Sequence, residues 1–140
     1  MLETRRLAVE YRKTTGQTLP VSADLAIYDA VRLLNLDKAE NTEAGVDATL
    51  ENKKIQIKGR VIFDTTKMNQ RIGQINEKGN WDFIYLVLFN AQYEPNAIFA
   101  ANREQLSDLF ANNSKNARGK MTVRKFQIMS HKIWPSNEDD

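Results

Sequence analysis

The run Ile84-Tyr85-Leu86-Val87-Leu88-Phe89 constrains this chain more than any other stretch. Six consecutive apolar residues, rich in β-branched and aromatic types, predict the centre of a strand reaching from Trp81 to Asn90. Side chains of a strand point alternately to its two faces, so a strand apolar at every position has to be covered on both. A chain of 140 residues can supply that cover, since roughly two-thirds of the unfolded surface is buried at this size. The same run is far short of the ~20 residues that cross a bilayer. No apolar run as long as the core of a signal peptide follows Met1-Leu2-Glu3-Thr4-Arg5-Arg6. The expectation is a cytoplasmic protein with no membrane partner.

The flanking segments supply the other elements. Leu2 to about Lys13 and Ser22 to about Asn35 predict two helices, separated by a loop at Gly16 and Pro20. Ser22 is the expected N-cap of the second, with Asp24 in its first turn, where the helix dipole favours an acid. Residues 46–50 and 53–63 predict two strands joined by Glu51-Asn52. Residues 64–80 read as polar loop. A short strand is expected at Ala97–Ala101, after a turn at Glu94-Pro95-Asn96. Asn102 then caps a helix to about Phe110, with Gln105 in the capping-box position. Val123 to Met129 is expected as a last strand, with Pro135 ending the ordered part. The resulting fold class is α/β, a mixed central sheet flanked by helices in three layers. Residues 1–135 form one domain in this reading, and 136–140 an acidic, disordered tail.

Composition narrows the chemistry. There is no cysteine and a single histidine, His131. Disulfides, thiolate zinc, a cysteine nucleophile and paired-histidine metal sites are therefore excluded. The net charge of +2 hides a pattern. Residues 21–51 hold seven acids and two bases, residues 52–82 seven bases and three acids, and residues 113–134 six bases and no acid. Acidic and basic segments thus alternate, as a metal-holding centre between basic walls would require. Trp81 and Trp134 are expected in the core, and His131 at the surface.

The segment Gly45 to Arg60 carries the candidate site. Val46, Ala48 and Leu50 share one face of the first strand, leaving Asp47 and Thr49 on the other. Ile55 and Ile57 share one face of the second, leaving Gln56, Lys58 and Arg60 on the other. If Glu51-Asn52 is a two-residue turn, paired residue numbers sum to 103, and Asp47 lies opposite Gln56. A four-residue turn gives 105 and sets Asp47 opposite Lys58. Either even turn gathers Asp47, Gln56 and Lys58 on one polar face, whereas an odd turn breaks the parity. A carboxylate is a hard oxygen ligand for Mg²⁺. A lysine beside it orients a water or stabilises charge on a phosphate. The plain alternative is a strand with one solvated face.

This segment resembles the core of the PD-(D/E)xK phosphodiesterase superfamily, with its restriction-endonuclease-like fold. Asp47 matches the first acid and Lys58 the lysine. Gln56 stands at the second acid, making a QxK variant, and Val46 replaces the nominal proline. Further resemblance, to small uncharacterised prokaryotic domains, rests on Ile55-Gln56-Ile57-Lys58-Gly59-Arg60, Asn69-Gln70-Arg71-Ile72-Gly73, Trp81-Asp82-Phe83, Lys125-Phe126 and Ile133-Trp134-Pro135. It spans about residues 20–135. The resemblance implies a nuclease dependent on Mg²⁺ or Mn²⁺ and acting on DNA, with Asp47, Gln56 and Lys58 catalytic. It implies a metal held by Asp47, the Ile57 carbonyl and a helical acid, for which Asp24 is the first choice and Glu10 and Asp29 the alternatives. Arg60, Arg71, Lys115, Arg118, Lys120, Arg124 and Lys125 are the expected contacts to nucleic-acid phosphates. A homodimer would suit cleavage of both strands. The superfamily also includes members without catalysis, so the alternative expectation is an inactive nuclease-fold module that binds DNA or a protein partner.

Overall fold

The computed structural model describes residues 1–39, 45–63, 70–73, 75, 77–107 and 121–136. Among them the chain forms helices α1 (Leu2–Thr15), α2 (Ser22–Leu34) and α3 (Val123–Met129). It forms strands β1 (Asp37–Lys38), β2 (Ala48–Leu50), β3 (Lys53–Val61), β4 (Phe83–Phe89), β5 (Pro95–Asn102) and β6 (His131–Trp134). The strands make one open sheet in chain order. All neighbours are antiparallel except β3 and β4, which run parallel. The class is α/β with a mixed six-stranded sheet and three helices among the described residues.

Both faces of β4 are buried, as its uninterrupted apolar run requires. Tyr85, Val87 and Phe89 join one cluster with Ile55, Ile57 and Val61 of β3 and Ala8, Leu25, Ala26 and Ala30 of α1 and α2. Ile84, Leu86 and Leu88 join a second with Trp81, Ile72, Ile75, Leu106, Met121 and the α3 residues Val123 and Phe126. Helices therefore lie on opposite faces of the sheet. Gly59 lets α2 settle on β3: a Cβ there would come within 2.6 Å of the Ser22 carbonyl oxygen and 2.7 Å of the Ala26 Cβ. A buried ion pair ties α1 to α2, with Arg5 donating to both oxygens of Asp29 at 2.9 and 2.8 Å and to the Tyr93 carbonyl at 3.2 Å.

The hairpin has the register of the two-residue turn. Leu50 pairs with Lys53, Thr49 with Lys54 and Ala48 with Ile55. Glu51 and Asn52 both take positive φ, 49° and 69°, the left-handed pair that matches strand twist. Asn102 and Gln105 form the expected capping box, each side chain accepting from the other's backbone N–H at 2.8 Å. The predicted continuation of a helix from Ser107 to about Phe110 lies outside the described residues, as do residues 137–140 of the expected acidic tail.

Several expectations are corrected. Residues 123–129 are a helix, not a strand. Thr122 caps it by accepting the Lys125 N–H at 3.1 Å, and Val123 and Phe126 bury one face at helical spacing while Ile128 is 77% exposed. The strand comes afterwards, at β6. The N-cap of α2 is Val21 rather than Ser22, and no side chain caps it. The turn before β5 lies at Asn90–Tyr93, not Glu94–Asn96. Asn90 Oδ1 accepts from the Gln92 and Glu94 N–H groups at 2.9 and 3.0 Å, and Tyr93 takes φ 60°. Nor is the 70–75 stretch simply a polar loop: Ile72 and Ile75 are buried, and residues 70–72 bond to 121–123. The edge strand β1 had no sequence signal beyond its two residues.

Candidate functional site

The site lies on the face of β3 turned away from α2. There Gln56, Lys58 and Arg60 alternate with the buried Ile55, Ile57, Gly59 and Val61. Asp47 departs from the position directly opposite Gln56. Regular pairing stops at Ala48, and the Asp47 N–H donates to the Ile55 carbonyl at 2.8 Å. Its carboxylate oxygen Oδ2 then accepts the Ile57 N–H at 2.7 Å. The acid is thus pinned to the edge of β3 by a backbone donor. In a strand a residue's N–H and C=O leave the same side, so the Ile57 carbonyl is directed to the edge that Asp47 occupies.

Lys58 stands within electrostatic reach of Asp47. Burial pushes its ammonium below the usual lysine value, the Arg60 guanidinium adds to that, and Asp47 opposes both. Burial alone lowers the pKa of Arg60. Arg60 donates from Nε to the Arg71 carbonyl at 2.8 Å and from Nη1 to the Gly59 carbonyl at 2.6 Å. It thereby draws the Gln70–Gly73 segment against the polar face. Gly73, with φ +87°, lies over the cations: a Cβ there would stand 3.1 Å from Arg60 Nη2 and 4.0 Å from Lys58 Nζ. Gln56 Oε1 is buried with no hydrogen-bond partner.

The structure therefore brings Asp47, Gln56, Lys58, Arg60 and the Gln70–Gly73 backbone to one face. Arg71 is exposed and pairs with Thr122, so it neighbours the exposed Arg124 and Lys125 at the start of α3. Lys115, Arg118 and Lys120 lie outside the described residues. Asp24 does not join the site. It is exposed on α2, over the opposite sheet face, and lines a groove of about 420 Å³ with Ile27, Tyr28 and Val31. Of its alternatives, Asp29 is held by Arg5 and Arg32, and Glu10 is exposed on α1. No group of three or more His, Cys, Asp and Glu residues suited to a metal occurs among the described residues.

Sequence reasoning passed over two residues that shape this face. Gly73 was legible only as an isolated glycine. Arg103 clamps the chain leading into β4, donating to the Trp81 and Glu77 carbonyls at 2.8 Å each and to the Gly79 carbonyl, with its guanidinium 3.9 Å over the Trp81 ring. It is the sole basic residue between 83 and 112, which is the signal that was there to follow. No helix among the described residues is long and apolar enough to cross a membrane. A scan of the chain against protein-family models and a search of curated proteins each returned no match.

Proposed function

We propose that this chain is a metal-dependent phosphodiesterase acting on DNA, of the PD-(D/E)xK type in its QxK form. The observation that carries the reading is the Asp47 carboxylate, held by the Ile57 N–H at 2.7 Å beside Lys58 on the polar face of β3. The mixed sheet flanked by helices is compatible with a restriction-endonuclease-like fold.

The donor set fits Mg²⁺ or Mn²⁺ with few protein ligands. One oxygen of Asp47 accepts a hydrogen bond, and Gln56 Oε1 is buried without a partner. Mg²⁺ commonly takes one or two protein oxygens and fills its shell with water and substrate phosphate. Asp47 and Gln56 would hold it, with the Ile57 carbonyl on the same edge. Such an ion polarises a phosphoryl oxygen and makes a bound water more acidic. Lys58 offsets negative charge developing on the phosphoryl oxygens, in a half-buried setting where that charge acts strongly. Arg71, Arg124 and Lys125 contact flanking phosphates and carry no base readout.

The test is cleavage of DNA with Mg²⁺ or Mn²⁺ by the wild type, Asp47→Ala and Lys58→Ala. Each variant is expected to lose about 10²–10³-fold, the usual effect of deleting a charge-stabilising group. Equal cutting by all three proteins would sink the reading. A second reading, a non-catalytic module that binds DNA, draws on Gln56 standing where a second carboxylate would strengthen metal binding. It predicts salt-dependent DNA retention without cleavage and no Mn²⁺-induced rise in melting temperature.

A further inference from the structure

We propose that the cavity between the start of α2 and the end of β3 is an oxyanion site that takes a single phosphoryl group. Its volume is about 150 Å³, and Thr18, Ser22, Arg60, Phe63, Gln70 and Tyr93 are among its lining residues. That is room for about five waters at ~30 Å³ each. It lies below the ~300 Å³ at which ordinary small-molecule sites begin. The space matches a phosphoryl group better than a whole nucleoside.

Four observations point to an anion. First, α2 begins without a capping side chain. The Leu25 N–H is the first of the helix to reach a helical acceptor, the Val21 carbonyl at 3.0 Å. The N–H groups before it have no partner within the helix, and the dipole adds positive potential there. Second, Arg60 is half-buried, its hydrogen bonds go to neutral carbonyls, and it forms no ion pair with any carboxylate among the described residues. Among the described residues no carboxylate offsets its charge. Third, the Tyr93 side chain is 1% exposed, and its hydroxyl is buried with no hydrogen-bond partner. A buried hydroxyl is normally paired, so this one, on a residue that lines the cavity, has its bonding capacity free for a ligand oxygen that a small shift of the ring would admit. Fourth, Arg12 stacks 3.6 Å over the ring of the lining residue Phe63 and acts electrostatically on Tyr93, so a second cation lies behind the wall.

No acid occurs among the described lining residues. The first-turn acid Asp24 is two residues on from Ser22, about 200° around the helix, and faces the separate groove. The hydroxyls of Thr18 and Ser22 and the amide of Gln70 add donors suited to phosphate oxygens. This site stands independently of the roles proposed for Asp47 and Lys58.

The experiment is a titration with inorganic phosphate at constant ionic strength, read by calorimetry and by thermal melting. Wild type is expected to bind saturably and melt higher with phosphate. Tyr93→Phe is expected to melt at or above wild type without phosphate, because it removes an unpaired hydroxyl, and to bind phosphate at least tenfold more weakly. No binding by wild type, or equal binding by Tyr93→Phe, would overturn the proposal. A second arm compares one oligonucleotide with and without a 5′-phosphate in the Asp47→Ala background. Tighter binding of the phosphorylated strand identifies a nucleic-acid end as the source of the group. Equal binding, alongside a response to inorganic phosphate, identifies the free anion. Either result upholds the site.

Discussion

Asp47 shows how a residue can be legible in kind and only partly in place. Alternation along 46–50 and 53–60 was enough to assign it to the polar face, and the Glu51-Asn52 turn was enough to set the register. It was not enough to foresee that the ladder stops at Ala48 and the carboxylate captures the Ile57 N–H. A side chain that competes with the backbone for a donor leaves no trace in hydrophobic periodicity. Lys58 has a measurable consequence at this scale. Its folded-state pKa lies below the ordinary 10.5, so its charge costs stability wherever it is protonated in both states. Between the lowered value and 10.5 the unfolded chain holds the extra proton, and stability rises with pH. Lys58→Met is therefore expected to melt above wild type at neutral pH, with the difference shrinking as pH climbs towards 10.5. Paired melts from pH 7 to 10.5 check this; a difference that widens with pH would contradict it.

At the scale of elements, strong local signals survived and weak ones did not. The apolar run of β4 and the amphipathic stripe of α2 were both readable, because burial dictated every inward position. The segment Val123–Met129 misled because seven residues with Val, Phe and Ile fit either period. Only the Thr122 cap and the exposure of Ile128 decide for the helix. Asp24 looked like a site acid because helix position alone cannot reveal which sheet face the helix will cover. That choice draws on Gly59, where β3 admits α2 closely. Gly59→Ala puts a methyl 2.6 Å from the Ser22 carbonyl oxygen and 3.2 Å from Phe89 Cε2, so the helix has to shift. The expected cost is about 3 kcal/mol, the upper end for overpacking. It would be read as a lower urea midpoint with an unchanged slope.

Across the whole molecule, one buried carboxylate joins three parts of the chain. Asp29 is 0% exposed, and Arg5 holds it while also bonding the Tyr93 carbonyl in the turn before β5. Among the described residues, Arg5→Ala leaves that charge with only the 3.2 Å bond from Arg32. A loss of about 3–5 kcal/mol is expected, as when one member of a buried pair is removed. The double change Arg5→Met with Asp29→Leu should recover most of it, since an apolar pair of similar size carries no desolvation cost; a melting series of the three proteins is the check. The sheet itself has a further implication. Its outer strands are a two-residue β1 with Asp37 and Lys38 exposed, and a four-residue β6 with His131 and Lys132 exposed and Pro135 just beyond. Short, charged margins of this kind give an incoming strand little to template on. Crowded copies of this protein are thereby discouraged from zipping into a continuous ribbon, and any pairing between them falls to the helices and loops.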